Sequence, residues 1–128
     1  MSIDEGQMIS TTLPIQGTFD IAKGRNSLRT HIASQRWAPA FGARAAAVLT
    51  ALGELILHTN RHGLVIVRIT IIEEGVDAGV HFECNIESPE GETRQFDEAH
   101  ERLQRASDHL EMREIATNIQ VCTIVYVN

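Results

Sequence analysis

Apolar residues recur at helical spacing in the middle of the chain. Laid out at about 100° per residue, Ala45, Val48, Leu49, Leu52, Leu55, Ile56 and Thr59 share one face. The stripe predicts one long core helix over Gly42–Gly63, stopped by the glycine. Its neighbouring side carries Ala47, Ala51, Glu54, His58 and His62. Two small residues open a shallow groove there, and a carboxylate and two imidazoles follow at successive turns, so one wall of a site is expected on this side.

Upstream, residues 1–10 read as a flexible lead-in, followed by a short strand over Thr11–Gly17 whose Pro14 suits a sheet edge. A first helix begins at Thr18 or Asp20, either of which can cap it. Phe19, Ile21, Ala22, Leu28, Ile32 and Ala33 give it an apolar face up to Trp37. Ala38 to Gly42 is the link, because Pro39 biases the residue before it out of helix.

After Gly63 the period changes to two. Val65, Val67, Ile69 and Ile71 share one side of a strand, with Arg68 and Thr70 on the other. A charged turn from Glu73 to Gly79 leads to a second strand. There Val80, Phe82, Cys84 and Ile86 alternate with His81, Glu83 and Asn85, which indicates one covered and one wet sheet face. Glu87 to Glu92 forms a loop. Phe96, Ala99, Leu103, Ala106 and Leu110 then mark another amphipathic helix, and Leu110 to Ile115 fits either helix end or strand. Ile119–Val127, apolar on both sides, reads as a central strand.

This order predicts an α+β fold: a two-layer sandwich with a mixed, mostly antiparallel sheet of four to five strands and three helices on one face. A length of 128 residues implies a single domain, over residues 11–128, with a sufficient core of its own. No apolar run approaches the ~20 residues of a membrane span. The acidic start, Met1 to Gln7, lacks the basic and apolar regions of a secretory signal, so a cytoplasmic location is expected. A net charge of −6 with scattered basic residues argues against nucleic acid as the main partner. Cys84 and Cys122 lie in strand-like flanks and are expected to be reduced, buried thiols.

Over roughly residues 11–127 the chain resembles the GHKL or Bergerat-fold ATPases, in particular the anti-sigma-factor and switch serine kinases of bacterial partner-switching systems. The best local matches are Phe19 to Arg25, opening the first helix, and Ala43 to Leu55 in the second. Members of that family carry a Glu that positions the nucleophile, followed four residues later by an Asn that holds Mg²⁺. Here Glu54 takes the Glu position and His58 stands in place of Asn. Members next carry Asp-x-Gly-x-Gly, whose Asp reads adenine; this chain has Asn85 to Gly91, with Asn85, Glu87 and Gly91 as the degenerate nucleotide-binding positions. The glycine-rich phosphate lid is replaced by Gly91 to Glu98, which has one glycine and sets Asp97 and Glu98 where phosphate would lie. The resemblance therefore implies the fold together with lost or weak ATP binding. Its function would be regulation by binding another protein: a STAS-domain antagonist, a sigma factor or another switch component, with a homodimer possible.

Two other functions compete with it. One is a working ATP- and Mg²⁺-dependent serine kinase in which His58 substitutes for Asn. The other is a metal site on Glu54, His58 and His62, whose helical spacing suits imidazole ligands although no His-Glu-x-x-His motif is present. The blander account makes Glu54 and His58 remnants of a nucleotide pocket, paired with each other or with water. Asn60 lies six residues after Glu54 and so points to another side of the helix. Glu87, Glu90, Glu92, Asp97 and Glu98 lack the spacing of a calcium loop and read as a solvated acidic rim.

Overall fold

The computed structural model describes residues 8–59 and 63–127. Eight elements follow in order: β1 (Met8–Ile15), α1 (Thr18–Ala33), α2 (Pro39–Leu57), β2 (Val65–Ile72), β3 (Gly79–Glu87), α3 (Arg94–Ala106), β4 (His109–Ile115) and β5 (Asn118–Tyr126). The strands form one sheet in the order β1-β2-β3-β5-β4. All four ladders are antiparallel. β3 and β4 run the same way but do not touch, because β5 lies between them. The fold is the expected α+β two-layer sandwich, with the sheet antiparallel throughout.

The helices cover one sheet face. Val67, Ile69 and Ile71 of β2, Val80, Phe82, Cys84 and Ile86 of β3, and Val121 and Val125 of β5 are buried under them. Alternate residues Arg68, His81, Glu83, Asn85, Gln120 and Cys122 face the other way. All seven residues of the predicted α2 stripe are buried, Thr59 included. By length and composition α2 could cross a membrane, contrary to the reading of the apolar runs, but 61% of its apolar window is packed inside the domain.

Element boundaries differ from the sequence reading in five places. β1 starts at Met8, so residues 8–10 belong to the sheet rather than to a lead-in. α1 ends at Ala33 rather than Trp37, where the Ser34 hydroxyl donates to the His31 carbonyl at 2.6 Å. Asp20 caps the start of α1, its carboxylate accepting from the amides of Gln16 at 2.8 Å and Gly17 at 3.2 Å. Pro39 does not end a link but begins α2: it holds Ala38 extended and takes the first helical turn, where its missing N–H costs nothing. Trp37 then packs edge-on against Phe41, centroids 5.1 Å apart.

α2 stops at Leu57, before the predicted Gly63. The Thr59 hydroxyl turns back to donate to the carbonyls of Ile56 at 3.1 Å and Leu55 at 3.4 Å, competing with helix continuation. α3 stops at Ala106, its Ser107 hydroxyl contacting the Leu103 carbonyl and the Thr123 hydroxyl. Leu110 therefore belongs to β4, paired with Thr123, and not to the helical stripe. Arg44 ties the far end of the sheet to α2: it meets Asp108 at 2.7 Å and the Tyr126 carbonyl at 3.2 Å, while Asp108 accepts from the Tyr126 amide at 2.8 Å.

Candidate functional site

Ala47, Ala51 and Glu54 do share a groove, as their helical spacing predicts. It runs between α2 and α3, measures about 430 Å³ and is open to solvent; Thr50, Arg102, Arg105 and Ala106 complete its lining. Phe96, Ala99 and Leu103 seat α3 in the core, which turns Arg102 and Arg105 outward along the rim. Glu54 accepts from Arg102 Nε at 3.0 Å, and Arg105 pairs with Glu101 at 3.0 Å. The groove thus has a floor of alanines and a rim of paired charges.

His58 lies apart from that lining. It is exposed just past the last turn of α2, its amide bonded to the Glu54 carbonyl at 3.2 Å. His62 and Asn60 fall outside the described residues. Among the described residues, no three His, Cys, Asp or Glu side chains come together as a metal-ligand set.

Asn85 is on the other side of the molecule. It lines a depression of about 260 Å³ on the open sheet face, with Thr12, Ile66, Arg68, Glu83 and Gln120. Glu87, two residues on, follows the same alternation. Gly91 is exposed in the following loop with φ +69°, a conformation that glycine adopts without strain. The structure therefore groups Glu54 with Ala47 and Ala51 and sets Asn85 apart from them.

The first turn of α3 is furnished with the chain's own carboxylates. Glu92 accepts from the Arg94 amide at 2.6 Å, and Asp97 accepts from the Thr93 hydroxyl at 3.1 Å. A helix N-terminus ordinarily attracts anions through such amides. Here Glu92 already occupies one, and Asp97 adds negative charge beside it.

Two features had no signal in the sequence reading. Arg102 is separated from Glu54 by 48 positions, and only the register of α3 on α2 brings them together. On the open face, His81 is partly shielded, and burial lowers its pKa against the opposing pull of Asp77 and Glu83. Its ring meets Tyr126 edge-on with centroids 6.5 Å apart.

The cysteines are free thiols on adjacent strands. Cys84 points into the core, whereas Cys122 pairs in register with Glu83 on the open face, so their side chains diverge. Burial pushes the Cys84 thiol up to about 12; Cys122 is also raised, by burial first and then by the carboxylates of Glu83 and Glu111. Both stay protonated at pH 8, where reactivity requires thiolate. Iodoacetamide at pH 8 is expected to leave Cys84 unmodified in the native protein and to label Cys122 slowly, with both reacting once denaturant is added. Mass mapping of native protein that found Cys84 alkylated as fast as in denaturant would contradict this placement.

No known family model matches this chain, and no curated protein matches it in sequence.

Proposed function

We propose that this chain is a cytoplasmic regulatory module of the partner-switching type, working through a protein–protein contact in the α2–α3 groove rather than through nucleotide chemistry. The observation that carries this reading is the Arg102–Glu54 pair. The one carboxylate in the position of a catalytic base is held by a guanidinium at 3.0 Å, in a groove with an alanine floor. Alanines let the backbone of an incoming helix come close, and paired charges on the rim supply orientation. The resemblance supplies the partner class: a STAS-domain antagonist or a sigma factor.

Ala47 lines the groove and is exposed, so enlarging it blocks the groove without disturbing the core. The tagged chain is expected to capture a STAS-domain protein or a sigma factor from extract of its native cell. Binding of that purified partner should weaken by at least about tenfold in Ala47→Trp, with the urea midpoint unchanged. Capture of neither class, or equal affinity in the variant, would remove the basis for this reading.

A further inference from the structure

β4 is the last strand of the sheet, with β5 on one side and no described strand on the other. Its outer edge therefore carries backbone N–H and C=O groups that no ladder satisfies, a template for one more strand. Nothing in its sequence blunts that edge. His109–Ile115 pairs with β5 in unbroken register, without a bulge, and contains no proline or lysine. The turn of residues 116–117 that joins the two strands is too short to fold over the edge. The opposite edge differs, because β1 carries Pro14, which removes one ladder donor.

Glu111 and Arg113 identify the strand that fits. Both are exposed on the open face, opposite Cys122 and Gln120 of β5, and neither forms an ion pair or hydrogen bond among the described residues. A second copy of β4 laid antiparallel along the first is related to it by a two-fold axis normal to the sheet, so one residue must face its own copy. With Met112 on that axis, Glu111 lies opposite the second copy's Arg113, and Arg113 opposite the second copy's Glu111. His109 then faces Ile115 and Leu110 faces Glu114, with no like-charge pair. Moving the axis by one residue sets Glu111 against Glu111 or Arg113 against Arg113. The strand is self-complementary in one register and repulsive in the two beside it.

We propose that two copies of this chain associate edge to edge through β4, joining their sheets into one across a two-fold axis at Met112, with the helices of both copies on the same face. The contact uses none of the residues lining the α2–α3 groove and does not rest on the protein-binding role of that groove. Sedimentation equilibrium of the full chain tests it. A single strand pair of this length is a small interface, so the unaltered chain should pass from monomer to dimer with a dissociation constant of about 10–100 µM. Glu111→Arg and Arg113→Glu each place like charges opposite one another twice in the dimer. Each variant alone should associate at least about tenfold more weakly, with its urea midpoint unchanged because both side chains are exposed. An equimolar mixture of the two variants recreates both opposite-charge pairs and should dimerise as the parent does. A parent that stays monomeric at millimolar concentration, single variants that associate as tightly as the parent, or a mixture that stays monomeric would each overturn the assignment.

Discussion

Gly79→Ala is expected to destabilise the domain by about 2–4 kcal/mol, a large share of the total for a chain of this size. Gly79 opens β3 and is paired on both sides, with Ile72 of β2 and Tyr126 of β5. A Cβ placed there falls on the Val125 carbonyl oxygen and lies 2.9 Å from Tyr126 Cα. These are backbone atoms in the ladder, so no rotamer change relieves the overlap. Either β5 moves off β3 or the pair unzips from this end, releasing the contacts that Arg44 and Asp108 make around Tyr126. Gly17→Ala is the control: a Cβ there meets nothing within 4 Å, and the expected loss stays below about 1 kcal/mol. Urea denaturation checks both, the midpoint falling in Gly79→Ala with its slope preserved. A Gly79→Ala midpoint equal to that of the control would show that the two strands are not held this closely.

The central helix was legible because its seven-residue stripe has a single period and every member is buried. The middle strands were legible for the same reason at period two. Boundaries were harder where one residue satisfies two patterns. Leu110 continues the spacing of Leu103 and Ala106, yet also alternates with Glu111 and Met112, and only pairing with Thr123 of β5 decides for strand. Pro39 was similarly double: the restriction it places on Ala38 reads as a break, while its own ring favours the start of a helix.

The candidate site divides along the same lines. Ala47, Ala51 and Glu54 come from one helix, so local periodicity was sufficient to place them together. His58 departs because Thr59 ends the helix through its own hydroxyl. Asn85 departs for a reason already contained in the pattern: it alternates with Cys84 and Ile86, which are buried under the helices, so it must face away from α2. Arg102 and His81 were invisible, since the ion pair of one and the ring contact of the other depend on how elements distant in the chain lie against each other.

Mg-ATP is expected to show no saturable binding below millimolar nucleotide, and no phosphate is expected to pass to a STAS-domain protein added with it. Three contacts hold the nucleotide in the kinases that this chain resembles: an Asn on the metal, an Asp on adenine, and a lid over the phosphates. The matching positions here are each compromised. His58 replaces the Asn and is exposed beyond the helix end, Asn85 lies on the open sheet face, and Glu92 and Asp97 crowd the amides at the start of α3. Losing the adenine contact alone costs about 1–3 kcal/mol. A triphosphate brought beside those carboxylates is repelled unless a cation intervenes. Together these losses amount to several decades of affinity, enough to carry a micromolar complex past the millimolar range. Titration calorimetry with Mg-ATP measures this directly, with Glu54→Ala as the control. Glu54 is committed to Arg102, so its removal is expected to change the heats little. A low-micromolar dissociation constant that rises sharply in Glu54→Ala would instead establish a working nucleotide site and favour the kinase reading.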